Sequence, residues 1–192
     1  MELVFVTANQ NKANEVQKVI SDGIKILSLK DIGCTDDIEE TGTIFSENAL
    51  IKARYIYKKY KKNCFADDSG LEVSALNGEP GVYSARYAGE PKNDFNNTEK
   101  LLQTLGDESN RAACFKTVIA LIIDGKEFTF EGRIDGTITK VARGTNGFGY
   151  DPIFIPEGYS KTFAEMTAED KNLISHRALA VQKLNAFLDS RM

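Results

Sequence analysis

Leu3 to Val6 is a short apolar, β-rich run, and the polar stretch from Thr7 to Asn11 separates it from a helical pattern carrying Val16, Val19 and Ile20. That order predicts strand, loop, helix. After a second apolar run at Ile26 to Leu29 comes a charged loop through Asp36, Asp37, Glu39, Glu40, Thr41 and Gly42. From about Ser46 to Tyr60 the positions Ala49, Leu50, Ala53 and Tyr57 recur at helical spacing, which predicts a helix with Ser46 as its cap and Lys52 off the buried stripe. Phe65 and Ala66 end a further apolar segment before Asp67-Asp68-Ser69-Gly70, where a strand is expected to yield to a turn presenting two acids. Gly78-Glu79-Pro80-Gly81 breaks regular structure, and Asn93 to Leu105 reads as a helix. Ala112 to Ile123 has a β-rich core, Asp124-Gly125 is a hairpin turn, and Glu127 to Glu131 reads as the returning strand. A second Asp-Gly pair, Asp135-Gly136, marks a bend before Thr137 to Val141, so antiparallel sheet is expected in the middle of the chain. The glycine-rich stretch Gly144 to Asp151 leads into Ile153-Phe154-Ile155, and a last helix is expected from Ser175 to Leu188. No repeat or low-complexity tract interrupts the pattern, which is that of one mixed α/β domain over residues 1–192.

Composition narrows the class. A chain of 192 residues with 42% hydrophobic and 27% charged side chains can bury a substantial core, unlike a disordered chain or a small stapled module. The formal net charge of -4 supplies no positive field for a phosphate backbone. The basic cluster Lys58, Lys59, Lys61 and Lys62, interrupted by Tyr60, reads as the solvated end of a helix, so nucleic acid is not an expected partner. Cys34, Cys64 and Cys114 are scattered and form neither a disulfide framework nor a zinc signature, so each reads as a small reduced hydrophobe. The N-terminal run carries no basic leader, and Val118 to Ile123 is too short to span a bilayer. The expectation is a cytoplasmic protein without a membrane partner.

Two loops are chemically dense. Thr7-Ala8-Asn9-Gln10-Asn11-Lys12 brings together a hydroxyl, amides, an ammonium and the backbone donors of a helix start, groups that surround phosphate oxygens as readily as they cap helices. It lacks the glycine framework and Gly-Lys-Ser/Thr ending of a P-loop. Asp67-Asp68-Ser69-Gly70, combined with the distant Glu40, offers hard oxygen ligands suited to magnesium and a phosphoryl substrate; the plainer alternative is a pair of acids beside a surface turn. In Gly144 to Asp151, Phe148 or Tyr150 can stack on a heterocycle while Asp151 or backbone groups read its edge. Equally, the glycines can serve a tight turn and the rings can fill the core. That loop follows several β elements and is not a Rossmann fingerprint. Glu169 to Arg177 gathers acid, base and hydrogen-bond donors at a helix start, where Lys171 and Arg177 either contact phosphate or base oxygens or form a charged cap, and His176 by itself reads as a structural side chain sooner than as a catalytic base. His176, the only histidine, excludes a multi-histidine metal site, and neither Ser69 nor Ser175 lies in the Gly-x-Ser-x-Gly elbow of a serine hydrolase.

In order along the chain, the matching pieces are Thr7 to Lys12; Glu39-Glu40-Thr41-Gly42; Phe45 to Ala49 with Lys52-Ala53-Arg54; Ala66 to Leu71; Pro80 to Tyr87; Gly147 to Pro152; and Ser175-His176-Arg177. This series resembles the inosine triphosphate pyrophosphatase family over nearly the whole chain. The resemblance implies an α/β fold, an elongated mixed sheet with flanking helices and two lobes around a central substrate cleft. It also implies a homodimer, magnesium dependence and hydrolysis of ITP, dITP and XTP between the α and β phosphates, cleansing the nucleotide pool. Carried onto this chain, it implies Glu40 and Asp68 as magnesium ligands and a catalytic set of Asp68, Asp67 and Lys52, with Asp68 activating water. Thr7, Asn9, Lys12, Lys52 and Ser69 fall on the phosphate side; Phe148, Gly149, Tyr150, Asp151, Lys171, His176 and Arg177 fall on the base side. A 6-oxo purine presents an acceptor where adenine presents an amino donor, so a pocket built of donors selects it. Ala8 and Asn146 stand where glycine is common in close relatives, changes that remove no proposed chemical group. The competing readings are a nucleotide-binding protein without turnover, and a pyrophosphatase acting on dUTP or a modified pyrimidine triphosphate.

Overall fold

A computed structural model describes residues 1–191. In chain order the elements are β1 (Glu2–Val6), α1 (Gln10–Gln17), β2 (Lys25–Leu27), α2 (Phe45–Tyr60), β3 (Cys64–Val73) and α3 (Asp94–Leu105), then β4 (Ala112–Ile123), β5 (Lys126–Ile138), β6 (Phe154–Pro156), α4 (Ala168–Ile174) and α5 (His176–Asp189). The strands form a sheet in the order β2-β1-β3-β4-β5-β6. It is mixed: β1 lies parallel to β2 and β3, while β5 and β6 are antiparallel. Two compact units arise from interleaved segments, residues 1–68, 117–132 and 177 onward in one, residues 69–116 and 133–176 in the other.

In the first unit, helices cover both faces of the strands, which is why β1 is a continuous apolar run and not an alternating one. Leu3, Phe5 and Phe65 pack with Val16 of α1 and with Ala180, Val181, Leu184 and Leu188 of α5. Val4, Val6, Cys64 and Ala66 pack instead with Ala49, Ala53 and Ile56 of α2. Successive residues of a strand face opposite ways, so the two clusters take alternate positions of β1 and β3. The register Val4↔Cys64, Phe5↔Phe65, Val6↔Ala66 keeps like faces together and stacks the Phe5 and Phe65 rings 4.6 Å apart. Truncating a side chain as buried as Ile56 or Leu184 to Ala would cost about 2–5 kcal/mol.

The second unit has its own core, in which Leu71, Val73, Leu101 and Leu105 meet Phe115, Tyr150, Phe154 and Phe163. Gly136 lies opposite Pro156, and a Cβ there would come within 2.3 Å of the Ile155 carbonyl oxygen and 2.6 Å of the Phe154 ring. This close approach, not a bend, is the reason for glycine: β5 runs unbroken through Asp135-Gly136.

Three other local expectations change. Asp67 to Gly70 is not a turn but the middle of a ten-residue strand, since β3 has neighbours on both edges that satisfy its backbone. Ser46 does not cap α2; it lies inside the first turn, the cap position is Ile44, and the Glu47 carboxylate reaches back to accept the Thr43 N–H at 2.8 Å. The first helix ends at Gln17, so Val19 and Ile20 follow it, their N–H groups both donating to the Val16 carbonyl. The Asp124-Gly125 turn is as expected, with positive φ at both residues and consecutive strands on either side. No helix among the described residues is long and apolar enough to cross a membrane.

Candidate active site

The alternation that sorts the first unit's core also sorts its acids. Asp67 continues the Phe65 face of β3, toward α1 and α5, and there it meets one cation from each helix. Lys12 Nζ of α1 lies 3.0 Å from Asp67 Oδ2, and Arg177 Nε of α5 donates to the same oxygen at 3.3 Å. Arg177 also donates through Nη1 to Glu15 Oε2, one turn beyond Lys12 on α1. Arg177 and Asp67 are nearly sealed from solvent, at 2% and 1% exposure. Burial alone would push the Asp67 carboxyl up, yet Lys12 and Arg177, with Lys52, hold it well below the usual carboxylate range. Burial lowers Lys12 from the ordinary lysine value, and Asp67 opposes that shift.

Asp68, one residue on, continues the Ala66 face toward α2. Asn48 Nδ2 donates to Asp68 Oδ2 at 3.0 Å, and Asn48 Oδ1 accepts the Gly42 N–H at 2.8 Å. One turn further along α2, Lys52 Nζ donates to Glu40 Oε2 at 2.9 Å. Asp68 is raised above the normal carboxyl value by burial, which outweighs Lys52 and Lys12, and Glu40 pushes it further the same way. The first unit therefore collects Glu40, Asp67 and Asp68 with Lys12, Lys52 and Arg177. Thr7 and Asn9 stand at the start of α1, the helix that carries Lys12: Asn9 caps it by accepting from the Asn11 and Lys12 N–H groups, and Thr7 Oγ1 accepts the Asn9 N–H.

This donor set suits magnesium. The ion is typically held by one or two carboxylates, with phosphates and waters completing an octahedron, and Glu40 and Asp68 are two such carboxylates in electrostatic contact. On the opposite face of β3, Asp67 Oδ1 is buried and accepts no hydrogen bond from the described residues. Among the described residues no three His, Cys, Asp or Glu side chains are grouped so as to hold a metal ion by themselves.

Ser69 opens the second unit's part of β3. In that unit the glycine-rich loop folds around Asp151, whose Oδ2 accepts the Phe148 N–H at 2.9 Å and pairs with Lys171 Nζ at 2.6 Å. Lys171 also stands 4.8 Å from the centre of the Phe148 ring. Gly147 has φ +76°, and a Cβ on it would fall 2.0 Å from Asp151 Oδ2, so the loop closes on the carboxylate only with glycine there. Asp94, first residue of α3, accepts the Gly149 N–H at 2.7 Å. Tyr150 is a core residue whose hydroxyl donates to the Ser84 carbonyl at 2.8 Å, and His176 stacks on Phe115 with centroids 4.7 Å apart. Phe148 remains half-buried.

The two units thus carry a phosphate-type constellation and a loop of aromatic, lysine and carboxylate groups. Set beside known proteins, the chain matches the Ham1 family profile over residues 3–187. It belongs to the Ham1 family. A dITP/XTP pyrophosphatase of Flavobacterium johnsoniae is 56% identical over 184 residues, covering 96% of each chain. The structure of the Staphylococcus aureus Ham1 protein superposes with a TM-score of 0.92 at 45% identity, covering 100% of both chains. A HAM1 protein from Coxiella burnetii gives the same TM-score at 41% identity over 99% of each chain.

In this Ham1 chain Thr7, Asn9, Lys12, Glu40, Lys52, Asp67 and Asp68 lie in the first unit, while Ser69, expected on the phosphate side with them, lies in the second together with Phe148 to Asp151, Lys171 and His176. Arg177, expected on the base side, donates instead to Asp67 and Glu15 in the first unit. Glu15 and Asn48 were not singled out. Glu15 stands three residues from Lys12 and Asn48 four from Lys52, the spacings that put two side chains on one helix face, and that was the available signal.

Proposed function

We propose that this chain is a magnesium-dependent nucleoside triphosphate pyrophosphatase that hydrolyses ITP, dITP and XTP between the α and β phosphates, giving the monophosphate and pyrophosphate. The observation that carries the proposal is the first unit's cluster, with Asp68 held by α2 on one face of β3 and the Lys12–Asp67–Arg177 array on the other. The base preference rests on the likeness to the Flavobacterium dITP/XTP pyrophosphatase. Glu40 and Asp68 would hold the magnesium ion, which when bound supplies Lewis-acid polarisation of a phosphoryl oxygen. The Asp68 carboxylate orients the attacking water and takes its proton as the water oxygen bonds to the α-phosphorus. Lys12 and Lys52 place two ammonium groups where charge develops on the departing pyrophosphate. Asp67 keeps Lys12 charged and in place. In the second unit, the Lys171 ammonium and the backbone around Phe148 are the donors that favour a 6-oxo purine, and the Phe148 ring offers a stacking face. In this reading the protein works in the cytoplasm as a homodimer and clears damaged purines from the nucleotide pool; light scattering on the purified chain tests the assembly.

The deciding experiment is hydrolysis of ITP, dITP, XTP, dUTP, ATP and GTP with magnesium, resolving both nucleotide product and pyrophosphate. Monophosphate and pyrophosphate should form selectively from ITP, dITP and XTP, and EDTA should abolish both. Selective cleavage of dUTP would overturn the base assignment, and no turnover on any substrate would leave a binding protein.

A further inference from the structure

We propose that Asn48 is a positioning residue for the hydrolytic step, holding the Asp68 carboxylate and the Glu40 loop in one fixed relation; this rests on the function proposed above. Asn48 is 2% exposed, and its amide is divided between two partners that accept only one orientation. Its Nδ2 must face the Asp68 oxygen, which only accepts, and its Oδ1 must face the Gly42 N–H, which only donates. The hydrogen bonds are 3.0 and 2.8 Å long, so one planar group ties a strand carboxylate to the backbone of the acidic loop two residues beyond Glu40. Gly42 permits this closeness. A Cβ at position 42 would lie 2.7 Å from Asn48 Oδ1 and 2.6 Å from Glu47 Cβ. Lys52, one turn on, holds Glu40 itself, so the same face of α2 touches both acids assigned to the metal. A rigid helix thereby sets the separation of Glu40 and Asp68, as an outer partner orients a first ligand in a metal site.

The experiment compares the wild-type chain with Asn48→Ala, Asn48→Asp and Gly42→Ala in ITP hydrolysis across a magnesium titration. In parallel, Mn²⁺ binding to the free protein is followed by EPR and folding by thermal melts. Asn48→Asp retains an acceptor for Gly42 but puts a second anion against Asp68; Asn48→Ala deletes both contacts; Gly42→Ala displaces the amide from the loop side. Each is expected to lower kcat about 10–100-fold and to raise the half-saturating Mg²⁺ and the Mn²⁺ dissociation constant, with KM for ITP near the wild-type value. An Asn48 that merely supports the fold would lower the melting temperature while kcat per folded molecule and both metal midpoints stayed at wild type, and that result overturns the proposal. Wild-type protein that fails to cleave ITP refutes the function instead, and Mn²⁺ affinity unchanged in the variants would then refute the positioning role separately.

Discussion

Removing the Arg177 guanidinium should destabilise the protein far more than removing any surface arginine. Arg177 is 2% exposed and stands between Asp67, at 1%, and Glu15, at 15%. In Arg177→Met the aliphatic volume stays but two carboxylates lose a buried cation. Breaking a buried pair from one side generally costs about 3–5 kcal/mol, because the remaining charge stays out of water. Asp67 retains Lys12 at 3.0 Å, and Glu15 is open enough to recruit water, so the lower end, about 3 kcal/mol, is expected. With a urea dependence of about 2 kcal/mol/M, the unfolding midpoint should fall by about 1.5 M. The control is Arg54→Met, whose bidentate pair with Glu127 is 56% and 38% exposed and should be worth at most about 1 kcal/mol. Urea titrations followed by circular dichroism measure both. Equal midpoint shifts in the two variants would refute the assignment of Arg177 as the buried counter-ion of this cluster.

Asp68→Asn should abolish most turnover, about 10²–10⁴-fold, while raising the melting temperature at pH 7. The sign follows from burial, which raises the folded-state Asp68 value. Stability from that group is full below its unfolded value of about 3.9 and is lost as pH rises through the folded one, so the gain from Asn should vanish in melts below about pH 4. Asp67 behaves oppositely. Its value is depressed on folding, so its stabilisation is present above about pH 4 and is lost on further acidification, and Asp67→Asn should flatten the acid limb of the stability profile. Gly147→Ala would drive a methyl group into Asp151 and disturb its hold on Lys171 and the Phe148 amide; kcat/KM for ITP should fall about tenfold and discrimination against ATP should shrink, as steady-state kinetics would show.

The hairpin at Asp124-Gly125, the α2 stripe and the α3 boundary were legible because each is decided by neighbours in sequence: two residues able to take positive φ, a helical apolar repeat, and an Asn at the cap. The course of β3 was not legible. Asp-Asp-Ser-Gly is turn chemistry by local preference, and only sheet partners on both edges, with cations waiting on α1 and α5, make a strand of it. For the same reason the acids were recognisable as chemical groups while their partners were not. Glu15 and Asp67 lie far apart in the chain, and nothing local tells a surface helix glutamate from one that holds a buried arginine. Arg177 stands beside His176 in sequence, yet the two side chains enter different units, because a helix turns neighbours away from each other.

That placement of Arg177 has a consequence for biosynthesis. Chains emerge N-terminus first, and β1, α1, α2 and the acids of β3 all precede the second unit's segments in translation order. Arg177 arrives after all of them. During most of translation Asp67 can find Lys12 but not its second cation, and the first unit lacks the α5 side chains that close the Leu3–Phe5–Phe65 face. The second unit, whose last residue is His176, has all its segments synthesised earlier. A ribosome paused before the codon for residue 177 would therefore carry a nascent chain with the glycine-rich loop's unit complete in sequence and the carboxylate cluster still unfinished.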